Sequence, residues 1–287
     1  MCHHNEFELI EEVSRTHYSI LYKARRRGNN QLVFLRHFPS SLYPNSEIED
    51  FDYQTKLQFS FDHPNLQKLI DLEVTTEGLW LVLEFLEGST LEEWLVGPKI
   101  GVAGSVQIAQ GITRAVGYLH KLAIVHCNLS PSSIYLCEGL PGKIAGFGYA
   151  RGRGCDADLA GQGLPVRRYE VPPNARAPEQ LNGSLNEISP ATDVYALGTI
   201  LYQLINWTNE FSTSQVLEIS QTRLSIGERK SLSLPAGCPP RLAAICSKCL
   251  QVSPQHRYAD ANALAEDLAS ALAIDELLGG NTQFDSC

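Results

Sequence analysis

The sequence has little charge and no long apolar run. Only 19% of its 287 residues are Asp, Glu, Lys or Arg, while 44% are hydrophobic. That balance can bury a core and argues against disorder. The longest apolar stretch, around Ala196 to Ile205, falls well short of the roughly 20 residues that span a bilayer. The start, MCHHNEFELIEE, lacks the positive and then apolar segments of a secretory signal, so a cytoplasmic protein is expected. Positive charge is also scarce: 23 basic residues face 32 acidic ones, for a formal charge of −9. A globally acidic surface argues against nonspecific binding to nucleic acid or to an anionic membrane.

A metal framework is missing as well. The eight cysteines are scattered, and only Cys246 and Cys249 form a C-x-x-C. A zinc site needs about four ligands, and no second C-x-x-C or paired His follows. The surrounding PRLAAICSKCLQ has helical periodicity, which puts the two thiols one turn apart on a helix as core residues.

What is present divides the chain in two. FELIEEV, SILYKARR, QLVFLRHF, LQKLIDLEVT and GLWLVLEFL are rich in Val, Ile, Leu and aromatics and read as strands. Between them, IEDFDYQTKLQFSF suits an amphipathic helix over about Glu47 to Phe61. After Gly88 the pattern turns helical. Thr90 and Glu93 form a capping box ahead of LEEWL. VQIAQGITRAVGYLHKL, ATDVYALGTILYQLI, PPRLAAICSKCL and ANALAEDLASALAID follow as helices, the second apolar nearly all round as a buried helix would be. The expectation is an α+β fold of two lobes: a small β-rich lobe over 1–86, a larger helical lobe over 87–274 and a frayed tail over 275–287, with a hinge at Glu84 to Gly88.

Seven segments in order resemble those of the protein kinase family, most closely the bacterial Ser/Thr type. They are HPNLQKL, LVLEFLEGSTLEEWL, YLHKLAIVHCNLSPSSIYL, KIAGFGYA, ARAPEQL, TDVYALGTILYQLI and SPQHRYADANAL, and the resemblance runs from about Phe7 to about Ala271. It implies a phosphoryl-transfer cleft with a phosphate-cradling loop, a lysine held by a glutamate, two magnesium ligands and a proton-accepting carboxylate. At the glycine positions of the loop stand Ser14, Thr16 and Ser19, which restrict the close approach of backbone N–H groups to phosphate. His17 and Tyr18 sit at the loop tip. Arg36, in VFLR, replaces the lysine of V-A-I-K, and Gln54 falls where its glutamate partner would be. In H-C-N-L-S-P-S-S the proton acceptor's place is taken by Asn128, the loop lysine's by Ser130 and a metal ligand's by Ser133. An amide is no base near neutral pH. Gly146 of G-F-G stands where the second metal ligand would be, and it has no carboxylate.

The resemblance also implies retained anchors. Glu179 would pair with Arg257, Asp193 would hold the loop at His126, and Leu69, His126 and Phe147 would stack in a hydrophobic spine whose fourth member falls at Gln58. From Gly146 to Pro178 there is no Ser or Thr, so the usual phosphorylation switch is not expected. That segment carries Arg151, Arg153, Arg167, Arg168 and Arg176 against Asp156, Asp158 and Glu170. It reads as a solvated loop with local ion pairs, or as a docking strip for an acidic partner segment.

The expectation from sequence is therefore a pseudokinase, not an enzyme, that binds or regulates a protein partner such as an active kinase or another signalling protein. No metal and no cofactor are expected. The alternative is a sensor that binds ATP without Mg²⁺ near Ser14, Thr16, Ser19, Arg36, Leu83, Glu84 and Leu86. A third reading is an atypical ATP-dependent transferase.

Overall fold

The structure is a computed structural model and describes residues 6–16, 19–42, 58–97, 101–136, 142–147, 150–152, 176–181, 187–207 and 238–277. Five strands form one antiparallel sheet: β1 (Phe7–Arg15), β2 (Ile20–Arg26), β3 (Leu32–Pro39), β4 (Leu69–Thr75) and β5 (Gly78–Glu84), in the order β1-β2-β3-β5-β4. Strand β5 is apolar up to Glu84, and β3 from Leu32 to Leu35, without alternation because both sheet faces are covered there. On one face Phe34, Leu81 and Leu83 join Leu21 and Leu69. On the other, Val33, Leu35, Trp80 and Val82 join Phe7 and Ala24. The edge strand β1 buries only Phe7, and its Glu8, Glu11 and Glu12 discourage pairing with another strand.

The chain leaves β5 through Phe85 to Gly88 and enters β6 (Ser89–Thr90). Helix α1 (Leu91–Trp94) starts on a reciprocal capping box. The Thr90 hydroxyl accepts from the Glu93 N–H at 3.2 Å, and the Glu93 carboxylate accepts from the Thr90 N–H at 2.8 Å. The helical lobe is built from α2 (Val102–Lys121), α3 (Pro178–Leu181), α4 (Pro190–Trp207), α5 (Pro240–Cys249) and α6 (Ala261–Leu277). Helix α4 lies in its middle, with Val194, Leu197, Ile200, Leu201, Leu204 and Ile205 all in the core. Gly198 lets α5 approach: a Cβ there would lie 2.5 Å from the Cys249 Cβ. Cys246 and Cys249 are both buried on α5, and burial pushes the Cys249 thiol well above its ordinary pKa.

Short strands finish the helical lobe's upper surface. β8 (Ile134–Leu136) pairs with β6 and with β9 (Lys143–Ile144), while β7 (Ile124–Val125) pairs with β10 (Arg151–Gly152). The result is a bilobal α+β architecture with a cleft between sheet and helices. Of the helix expected over Glu47 to Phe61, only its last turn is described, where Gln58 and Phe59 are helical. Among the described residues no helix is long and apolar enough to cross a membrane.

Candidate functional site

A cleft of about 530 Å³ separates the lobes, within the range typical of small-molecule sites. Its walls gather most of the residues singled out from sequence: Ser14, Thr16, Arg36, Leu83, Leu86, Asn128, Ser130, Ser133 and Gly146. Ser19 is buried beside it. Gln54, His17, Tyr18, Arg153, Arg167 and Arg168 lie outside the described residues, and of Arg151 only the backbone is described.

The roof loop closes on itself. The Thr16 N–H donates to the Ser19 carbonyl at 2.8 Å, and the Ser19 N–H donates to the Thr16 hydroxyl at 2.9 Å. Two backbone donors of this turn are thus already satisfied. Arg36 sits on β3 opposite Leu21 and Leu81 and reaches the field of Tyr135. Burial raises the Tyr135 phenol; nearby Arg36 opposes that shift and Glu93 adds to it.

The floor loop is similarly self-satisfied. The Ser133 hydroxyl donates to the Ser130 carbonyl at 2.9 Å and accepts from the Ser130 N–H at 3.0 Å. The Ser130 and Ser132 hydroxyls lie 2.9 Å apart. The Asn128 side-chain amide donates to the Gly146 carbonyl at 3.4 Å. Gly146 has φ +84, a left-handed conformation, and a Cβ there would meet the Asn128 amide nitrogen at 3.3 Å.

The kinase resemblance implies magnesium here, and the donor set is poor in the oxygens that hold it. Gly146 contributes no side chain, the Ser133 hydroxyl has both its bonds inside the loop, and Asn128 presents an amide. Three carboxylates, Glu11, Glu92 and Glu93, line the cleft, but none stands at the Asn128, Ser133 or Gly146 positions; Glu93 caps α1, and Glu11 lies 3.5 Å from Lys23. Among the described residues no group of three His, Cys, Asp or Glu could hold a metal ion. The residues present do not fit a divalent cation held by carboxylates.

Behind the floor the loop is held from below. The Asp193 carboxylate accepts from the His126 N–H at 2.7 Å, from the Cys127 N–H at 2.9 Å and from His120 Nε2 at 3.0 Å. His126 is fully buried, and burial lowers its pKa. Its Nδ1 accepts from the Asn128 N–H, so Nε2 carries the proton and donates to the Ala145 carbonyl at 3.1 Å. Cys127 is left-handed at φ +63, and the Gln180 amide donates to its carbonyl at 2.8 Å. Phe147 packs edge-on against His126 at 4.9 Å and Phe61 at 5.0 Å. Gln58 is buried, and its amide donates to the Gln67 carbonyl at 3.3 Å.

Deeper still, Arg257 and Glu179 form a bidentate pair at 2.7 and 2.8 Å, with side chains 0% and 1% exposed. Arg257 also donates to the carbonyls of Ala191, Gln251 and Val252. Thr192 donates to Glu179 at 2.9 Å. Every charged atom of this buried pair has a partner, the condition under which a buried pair is tolerated.

Several cleft residues escaped the sequence reading. At the hinge, the Glu84 carboxylate takes Lys143 and the Lys68 N–H, while the Glu84 carbonyl accepts from the Gln67 amide at 2.9 Å. The rings of Phe34, Phe85 and Tyr135 converge there. For Phe34 a signal existed, since VFLR carries Phe where V-A-I-K has Ala. For Gln67, Gln180 and Lys143 no local pattern pointed to a role.

The protein kinase domain model matches residues 7–269 of the chain. The chain belongs to the protein kinase family. Among its curated relatives, a probable serine/threonine-protein kinase of Clostridium perfringens, CPE1738, is 24% identical over 267 residues, covering 92% of this chain and 38% of the relative. Serine/threonine-protein kinase PrkC of Bacillus subtilis is 25% identical over 235 residues, 81% of this chain and 35% of the relative. PknL of Mycobacterium tuberculosis is 28% identical over 202 residues, 69% of this chain and 49% of the relative. The chain thus spans less than half the length of these relatives. The bacterial Ser/Thr type and the bilobal kinase fold stand as read from sequence. The expectation that the chain is not an enzyme is corrected: a protein kinase domain shared with relatives named as serine/threonine-protein kinases points to an enzyme. That expectation rested on side chains at a few cleft positions, whereas the match extends over nearly the whole domain.

Proposed function

We propose that this kinase-family chain serves as a regulatory module that engages a protein partner; the alternative is a sensor whose cleft holds a nucleotide without a divalent cation. The observation that carries this reading is the self-satisfied floor of the cleft. Ser133 and Asn128 direct their polar groups into the loop, and Gly146 brings no ligand. Around this floor, the Asp193 and Arg257–Glu179 networks favour a rigid platform, which suits a docking role. The partner proposed is another signalling protein, an active kinase being one such, and the setting is the cytoplasm. The arginines at 151, 153, 167 and 168, set in an acidic chain, are the candidate contact for an acidic partner segment. No resident cofactor is part of the reading, and ATP enters it only in a metal-free pose.

The test is a thermal-shift series with ATP in EDTA, in Mg²⁺ and in Mn²⁺, alongside transfer of labelled phosphate from ATP to a protein substrate. The reading expects the same nucleotide response with and without metal. Stabilisation that requires Mg²⁺ would contradict the metal-free pose of the nucleotide. The partner is tested separately. Isolated from its own cells under native conditions, the chain should migrate with a second protein at fixed stoichiometry, and a monomer would contradict the reading.

A further inference from the structure

At the hinge end of the cleft, where the kinase resemblance would seat a nucleotide base, the protein's own rings meet. Phe34 belongs to the upper lobe, in register with Lys23 on β2 and Leu83 on β5. Tyr135 belongs to the lower lobe, in register with Thr90 and Lys143. Their ring centroids are nevertheless only 6.2 Å apart, tilted by 49°. Phe34 also meets the hinge ring of Phe85 at 4.9 Å, and the Lys23 ammonium lies 5.3 Å from the centre of the Phe85 ring. A flat heteroaromatic base held between two side chains needs a carbon contact of about 3.5–4.0 Å on each face, so roughly 7–8 Å between them. The measured separation is smaller than that.

The edge of this space is engaged too. A base docked against the hinge needs backbone acceptors and donors at Glu84 to Leu86. The Glu84 carbonyl already accepts from the Gln67 amide at 2.9 Å, and Gln67 is buried. Phe34 and Tyr135 thus meet across the space between the lobes, and one hinge acceptor, the Glu84 carbonyl, is already engaged by Gln67.

We propose that Phe34, Tyr135 and Gln67 are specificity-determining residues that occupy the base end of the cleft from within and hold its affinity for purine nucleotides low. Phe34 and Tyr135 bridge the lobes where a base would otherwise do so. Trimming them opens the slot.

The experiment measures binding of ATP and of a fluorescent ADP analogue in EDTA to the wild-type chain, Phe34→Ala, Tyr135→Leu and the double variant. Folding is checked by thermal melts. The double variant should bind at least ~10-fold more tightly than wild type, with the single variants between them. Adding Gln67→Val should tighten binding again by freeing the Glu84 carbonyl. If Phe34→Ala fails to fold, Tyr135→Leu alone carries the test, because it keeps an apolar side chain at a partly exposed position. A folded double variant, or a folded Tyr135→Leu, that binds no more tightly than wild type overturns the proposal. The EDTA condition removes the metal question, so failure here is distinguishable from failure of the regulatory reading.

Discussion

Replacing Arg257 by Ala should be the most damaging single change in the helical lobe outside its apolar core. Each of the five Arg257 donors is used: two on Glu179 and one each on Ala191, Gln251 and Val252. The guanidinium also lies 4.9 Å from the centre of the Tyr195 ring. Its removal leaves the Glu179 carboxylate, itself 1% exposed, with Thr192 as its one remaining donor among the described residues. Stranding a buried charge in this way costs about 3–5 kcal/mol. For a chain of this size each kcal/mol moves Tm by about 2–3 °C, so the expected drop is roughly 6–15 °C. Arg257→Lys should recover little of it, because an ammonium cannot reproduce the bidentate fork. The assay is urea denaturation of Arg257→Met, Glu179→Leu and the double variant. The double variant should be less destabilised than the sum of the singles, with a coupling of about 2 kcal/mol. Additive losses, or a single-variant cost under about 1 kcal/mol, would refute the claim that this pair locks the lobe.

Other outcomes follow from the same geometry. Asp193→Asn removes one of two oxygens that together take three donors; it should cost about 1–3 kcal/mol in urea denaturation, and the buried Cys127 thiol should label faster with a thiol reagent. Gly198→Ala places a Cβ against Cys249 and should cost about 1–3 kcal/mol, read by denaturant midpoint. Burial keeps His126 neutral in the folded state, while the unfolded chain binds a proton below about pH 6.5, so its contribution is intact above that pH and falls as pH drops through it. A stability–pH profile of His126→Gln should be flatter over that window than the wild-type profile.

Much of the fold was legible because its signals are local. The double-sided burial of β5 and of Leu32 to Leu35 in β3 is written as runs of apolar residues, the start of α1 as Thr90 and Glu93, and the central position of α4 as a surface apolar nearly all round. The cleft positions were legible through the order and spacing of short motifs, which placed Asn128, Ser133 and Gly146 on one wall. What escaped was pairing between residues well separated in sequence. Tyr135 meets Phe34 from about 100 residues away, Gln180 reaches Cys127, and Gln67 reaches Glu84. No period of 2 or 3.6 encodes such meetings. The enzyme question was misjudged for a related reason: a few side chains were weighed above a domain-wide likeness.

The most direct measurement is the nucleotide-induced change in Tm of the wild-type chain in Mg²⁺ compared with EDTA. A floor whose hydroxyl and amide groups are turned inward predicts the same change, or the same lack of one, in both solutions. A rise in Tm seen with ATP and Mg²⁺ but abolished by EDTA would mean that this cleft seats a metal–nucleotide complex, and the account of its floor would be wrong.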